Sequence, residues 1–327
     1  MRKKLRGILQ VLISLGLLAW LIAQAGPGSI LAVLRGVEWA WYLPAFLLFL
    51  LSVVLRAYRW HVLLRSLHDR TPFGQLIVLY FIGFFFNNFI PSGFGGDVVK
   101  VYGLYRQHGH GAEALSSVLM DRLTGLLGSS LIAVAVLAGS AVGLTAPALD
   151  LPLTLVVTIA GVSLGLPLGF LLLRWRDPLA LLAERLPFTR RLTAHPALRR
   201  LFETVHRYPW PTLGRALLVS LPFTAILVLI QWSIARALAV DVPFAFFPLF
   251  VPVISLLTLL PISFNGLGVR EGAYQALFVP AGVASAEAIA MSLAFYTLRV
   301  GVGLIGGLLL VGHTTRIRTD STDSDGE

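Results

Sequence analysis

Two stretches decide how this chain reads: Phe89-Ile-Pro-Ser-Gly-Phe-Gly-Gly-Asp-Val-Val-Lys100 and Leu259-Leu-Pro-Ile-Ser-Phe-Asn-Gly-Leu-Gly-Val-Arg270. A single offset of 170 aligns Pro91 with Pro261, Phe94 with Phe264, Gly96 with Gly266, Val99 with Val269 and Lys100 with Arg270. Each stretch interrupts a long apolar segment, 76–106 in the first half and 243–279 in the second. Proline cannot continue a helical hydrogen-bond ladder, and glycine permits a sharp reversal. Residues 76–90 make a helical leg of roughly 22 Å at 1.5 Å per residue, short of the roughly 30 Å of hydrocarbon in a bilayer. Each segment is therefore expected to be a re-entrant helical hairpin returning to its own side of the membrane. Pro91, Gly93, Gly95 and Gly96 would shape the first turn, and Pro261, Gly266 and Gly268 the second. Backbone groups freed at such turns cannot face lipid, where each unsatisfied group costs several kcal/mol. The turns should face a polar, water-accessible cavity between the two halves.

Composition agrees with a chain that lives in the bilayer. Of its 327 residues, 57% are hydrophobic and 13% charged, whereas soluble domains carry about 25% charged residues. Apolar runs at 7–25, 39–61, 116–142, 152–173, 213–237 and 285–312 are each long enough to cross. The fold class expected is all-α: a polytopic integral membrane protein. A soluble enzyme and a nucleic-acid binder are excluded as readings of the whole, so the net charge of +10 points to anionic lipid and to topology. The absence of cysteine removes disulfides, thiolate metal sites and thiol catalysis. His108 and His110 lack a third ligand nearby, so no metal and no cofactor is expected.

The basic residues orient the chain. With the amino terminus in the cytoplasm and each broken segment folded back, cytoplasmic stretches hold 21 of the 26 lysines and arginines, the asymmetry of the positive-inside rule. Arg56 and Arg59 count among these cytoplasmic residues, and Lys100 is expected to snorkel to the same interface. Both termini are then cytoplasmic, in the cell (inner) membrane. Met1–Arg6 followed by an apolar run and Ala23-Gln-Ala25 resembles a cleavable leader, but the many later spans favour a retained helix. Two full spans precede Pro91 and five precede Pro261, so the halves should be inverted repeats, the arrangement that marks central sites in transporters. The chain divides into a first membrane repeat (1–173), a basic cytoplasmic loop (174–212), a second repeat (213–312) and a polar tail (313–327) expected to be disordered. Arginines and spaced leucines across 174–215 suit the anionic inner leaflet as a partner.

Six ionisable residues fall inside apolar segments: Asp97, Asp121, Arg122, Arg270, Glu271 and Arg299. Each is costly there, by about 2.5–3.5 kcal/mol on insertion scales, so they should face inward and pair. Asp97 is expected to pair with an arginine of the other half, and Asp121 with Arg122 as a structural pair. Helix N-termini after the turns favour an anion. Asn87, Asn88, Ser92, Ser263 and Asn265 add neutral hydrogen-bonding groups. Structural ion pairing is the competing reading of the same charges.

Pro91-Ser-Gly-Phe-Gly-Gly-Asp-Val-Val-Lys-Val-Tyr102, Asp121-Arg-Leu-Thr-Gly125 and Pro261-Ile-Ser-Phe-Asn-Gly-Leu-Gly-Val-Arg-Glu-Gly272 resemble the signatures of the lysylphosphatidylglycerol synthase transmembrane-region family. That family includes the flippase half of the bacterial multiple peptide resistance factor and resembles hopanoid-associated membrane proteins. The resemblance spans roughly 10–312 and implies a lipid-translocating domain of two inverted repeats. It implies site positions at Asp97, Arg122, Arg270 and Glu271. The multidomain synthases carry a soluble acyltransferase domain after the membrane part. This chain ends shortly beyond its last span, so aminoacyl transfer to phosphatidylglycerol is not expected, and the leading reading is not an enzyme. A lipid flippase acting on an anionic or lipid-linked head group is the leading function. A membrane-embedded transferase or accessory protein in lipid synthesis, and an ion-coupled small-solute transporter, remain open.

Overall fold

The computed structural model describes residues 2–89, 95–109, 111–142, 152–175, 203, 206–258 and 263–323. Its regular structure among these is entirely helical. In chain order the helices are α1 (Arg2–Ala25), α2 (Pro27–Arg35), α3 (Trp39–Ser66), α4 (Phe73–Phe89), α5 (Gly95–His108), α6 (Gly111–Ala141), α7 (Leu153–Trp175), α8 (Trp210–Ala237), α9 (Phe247–Leu257), α10 (Val269–Phe278) and α11 (Ser285–Asp323). Among the described residues, five stretches are long and apolar enough to cross a membrane: Trp39–Ser66, Gly111–Ser140, Leu153–Leu172, Trp210–Ala237 and Ser285–Gly312. A sixth arises if Val11–Ala25 and Pro27–Arg35, bent by 83° at Gly26, count as one broken span. Exposed Leu47, Leu164, Leu168, Leu172, Leu218 and Leu308 face outward, as lipid-facing residues must where hydrocarbon is the solvent.

Both broken segments are antiparallel helical hairpins. In the first, Gly83 of α4 meets Gly96 of α5, and Leu79 meets Gly103, so the legs run in opposite directions. A Cβ on Gly96 would collide with the carbonyl oxygen of Gly83, so glycine at that position lets the backbones come this close. In the second, Phe247 and Phe250 of α9 pack on Phe278 of α10 with ring centroids 5.5 and 5.0 Å apart. Near its tip, Thr258 approaches Gly266. The legs hold 17 and 14 residues in the first hairpin and 11 and 10 in the second. At 1.5 Å per residue all four are shorter than about 30 Å of hydrocarbon. Pro91, Ser92, Gly93 and Pro261 lie outside the described residues. Gly266 and Gly268 adopt φ +80° and +81°, a region closed to most side chains.

The long helices close around these hairpins. α8 lies along α3, α6 packs on α8, and α11 runs against α4. Gly303, Gly306 and Gly307 face Asn88, Phe81 and Phe85 of α4. This glycine-lined contact is the kind that holds membrane helices together without a hydrophobic drive. Trp60, Phe49, Phe247, Phe250, Tyr274 and Phe278 fill the interior. Helix α11 extends to Asp323. Neither glycine nor proline occurs between His313 and Asp323, and those are the residues that stop helices. The basic loop expected at 174–212 falls mostly outside the described residues.

Candidate functional site

Charge placement in the bundle starts with helical spacing. Arg56 and Arg59 stand one turn apart on α3, and Asp97 and Lys100 one turn apart on α5, so each pair shares a face. Adjacent Asp121 and Arg122 on α6 cannot face one another. All six, together with Arg270 of α10 and Arg299 of α11, line a cavity of about 260 Å³. Its described walls thus carry six cations against two carboxylates. Tyr80, Asn87 and Gly96 from the first hairpin, Ser129 of α6, Ser255 and Thr258 from the second hairpin, and Gln231 of α8 add to the polar lining.

Both carboxylates are engaged by cations of the first half. Asp121 accepts a hydrogen bond from Arg59 Nε at 2.7 Å and another from the Tyr80 hydroxyl. Arg59 also donates from Nη1 to the Ser220 hydroxyl at 3.2 Å. Asp97 pairs with Lys100 Nζ at 3.0 Å and with Arg122 Nε. The expected partnership of Asp97 with an arginine of the other half is thereby corrected, because Lys100 lies one turn away and Arg122 projects from the helix packed beside α5. The expected Asp121–Arg122 pair is corrected too, since neighbours on a helix diverge. Lys100 does not snorkel outward. It is 5% exposed, with Nζ 4.2 Å from the ring centre of Tyr80 and 5.3 Å from that of Trp60. Aromatic faces and two carboxylates stabilise it where hydrocarbon would not.

The remaining cations are different. Arg56 lies over the Phe223 ring at 4.6 Å. Arg270 is 5.4 Å from the Tyr296 ring and donates from Nη2 to the Asn265 carbonyl at 2.8 Å. Arg56 Nε, Arg270 Nη1 and Arg299 Nε are buried without a hydrogen-bond partner among the described residues. Arg299 stands within electrostatic reach of Arg270, Arg56 and Arg122. Three helices therefore bring guanidinium groups to one cavity, with no ion pair to a carboxylate among the described residues.

Of the other side chains expected at the site, Asn87 alone lines the cavity among those described. Glu271, fully buried, accepts the Gly268 N–H at 2.6 Å and the Ser292 hydroxyl at 2.8 Å. It caps α10 and ties it to α11 instead of lining the cavity. Asn87 lines the cavity and accepts the Gly96 N–H at 2.8 Å, which fixes the start of α5. Asn88 turns away toward Gly303 of α11. Ser263 and Asn265 are buried beside the second turn without lining the cavity. Arg56 and Arg59 line the cavity, whereas the sequence reading places them on the cytoplasmic surface. The signal was present: two arginines at i, i+3 at the end of a helix that buries Trp60, Leu63 and Leu64 one turn beyond them.

A family model described as the lysylphosphatidylglycerol synthase TM region matches residues 7–307 of this chain. A UPF0104 membrane protein of Methanothermobacter thermautotrophicus is 27% identical over 314 residues, covering 87% of each chain. A second UPF0104 membrane protein, from Pyrococcus horikoshii, is 30% identical over 126 residues, 38% of this chain and 36% of that one.

Proposed function

We propose that this chain, which belongs to the lysylphosphatidylglycerol synthase transmembrane-region family, is a lipid translocase that moves an anionic head group across the cytoplasmic membrane. The head group crosses through the central cavity while the hydrocarbon tails stay in the bilayer. One observation carries this reading: Arg56, Arg270 and Arg299 converge on the cavity with buried donors left unmatched among the described residues. An isolated buried charge costs several kcal/mol, and a phosphate accepting charge-assisted hydrogen bonds would offset that cost. Asp97 and Asp121 are already neutralised by Arg59, Lys100 and Arg122, so a visiting anion meets an excess of positive charge.

The two hairpins give the route. Their short legs reach the cavity from separate elements of the two halves, and an inverted relation between those halves would let either side open in turn. Both termini are then cytoplasmic. We read the protein as a carrier and not an enzyme. Glu271, a candidate base by position, is tied to a backbone N–H and a serine hydroxyl, and Asp97 to two cations.

Reconstituted vesicles test the proposal. Fluorescent phosphatidylglycerol, quenched from outside by dithionite, should be quenched beyond the outer-leaflet fraction when the protein is present. Arg56→Gln and Arg299→Gln should slow the movement. Quenching equal to that of empty vesicles, across anionic head groups of several kinds, would rule the translocase out.

A further inference from the structure

We propose that the seam between α5 and α6 is the lateral portal of this translocase, where one acyl chain of an anionic glycerophospholipid lies while its phosphate head group occupies the cavity. The inference rests on the translocase reading and names its substrate class and route. Helix α5 has two faces. Asp97 and Lys100 point to the cavity, whereas Val98, Tyr102 and Tyr105, spaced i, i+4 and i+7, are exposed at 62%, 60% and 52%. Across from them, Leu115, Val118 and Leu119 of α6 form the second wall of a groove of about 380 Å³. Two lipid-facing helices in contact ordinarily interdigitate their side chains. Here they leave room for hydrocarbon.

Continuity with the charged cavity distinguishes this groove from an ordinary lipid-facing surface. Asp97 borders both spaces. Its carboxylate, held by Lys100 and Arg122, stands at the boundary between a hydrocarbon-lined channel and a guanidinium-lined one. A phosphate passing from the groove would reach Asp97 at the boundary and, behind it, Lys100 and Arg122; it could then replace Asp97 as their partner, planar guanidinium matching phosphate oxygens. The cavity favours a compact head group. At about 260 Å³ it is smaller than the roughly 300–1,000 Å³ of sites for drug-sized ligands, which suits a phosphate with a small polyol better than a lipid-linked oligosaccharide.

The test uses the wild-type protein in nanodiscs with phosphatidylglycerol carrying a photoreactive diazirine on one acyl chain. Adducts mapped by mass spectrometry should concentrate in residues 98–119. They should exceed those at Leu168 and Leu172 of α7, 55% and 65% exposed, by about tenfold, a preference of about 1.4 kcal/mol. Diacylglycerol with the same labelled chain but no phosphate should lose that excess. Equal labelling of α7 and the seam, or labelling indifferent to the phosphate, overturns the portal. Seam labelling by a photoreactive prenyl phosphate in place of phosphatidylglycerol overturns the choice of a glycerophospholipid. The readout is binding, so the two ideas fail separately. Lipid movement without seam labelling sinks the portal alone, and seam labelling without lipid movement sinks the translocase alone.

Discussion

Arg59 of α3 donates to Asp121 of α6 at 2.7 Å, with both side chains at most 5% exposed. The pair joins helices far apart in the chain and is braced by Ser220 and Tyr80. Its neighbour Arg122 serves a different acid, Asp97. The bundle thus contains two kinds of buried charge: cations ion-paired to carboxylates, and the guanidinium groups of Arg56 and Arg299, with no ion pair among the described residues.

Removing one member of the matched pair should destabilise the protein. Asp121→Asn leaves Arg59 and Lys100 without their shared anion, a change that costs about 3–5 kcal/mol when a buried pair is broken. Thermal unfolding in detergent should show a clear fall. A double-mutant cycle with Arg59→Met should return a coupling energy of about 1–3 kcal/mol. Additive effects would mean the contact contributes nothing of its own.

Removing an unmatched cation should do the opposite to stability and harm function. Arg299→Gln and Arg56→Gln relieve a buried charge, so the lipid-free protein should unfold at the same or a higher temperature. Lost charge-assisted hydrogen bonds to a phosphate, about 1.5–3 kcal/mol each, predict roughly 10- to 150-fold weaker binding of phosphatidylglycerol. A parallel fall in stability and binding would assign these arginines a structural role.

Gly125, one turn beyond Asp121, should not tolerate a side chain. A Cβ there would lie 2.6 Å from Arg59 Nη1, so Gly125→Ala must shift the guanidinium that Asp121 and Ser220 hold. The expected loss is about 1–3 kcal/mol, the usual cost of overpacking, read by thermal unfolding. In the Asp121→Asn background the substitution should cost less, because the pair it disturbs is already broken.

Glu271 should behave as a cap. Glu271→Ala removes the acceptor for the Gly268 N–H and for Ser292, and loss of a cap costs about 0.5–2 kcal/mol. Translocation per folded molecule should stay near wild type. A selective loss of transport in a fully folded variant would move Glu271 into the transport machinery.

Several of these roles were within reach of the sequence. Helix spans were legible because a bilayer demands long apolar runs: the starts at Trp39 and Ser285 coincide with where those runs begin, whereas α8 begins at Trp210, three residues before the expected 213. The hairpins were legible because Pro and Gly interrupt segments too short to cross twice. Asp97, Arg122, Arg270 and Arg299 were legible as costly charges in apolar surroundings. Arg56, Arg59 and Lys100 were misassigned because each lies near the end of an apolar run, where linear distance from polar residues resembles exposure. Asn88 and Glu271 were grouped with the cavity because proximity in sequence says nothing of which side of a helix faces it.

Sequence alone determined that this is a membrane-spanning helical protein with two broken segments and a few intramembrane charges, since local hydropathy and backbone chemistry suffice for that. Only the tertiary structure decided which charge answers which: that Asp121 belongs to Arg59, that Asp97 belongs to Lys100 and Arg122, and that Arg56, Arg270 and Arg299 share a cavity. Coulomb interaction and hydrogen bonding act over a few ångströms in space, and helix packing, not order along the chain, sets those distances.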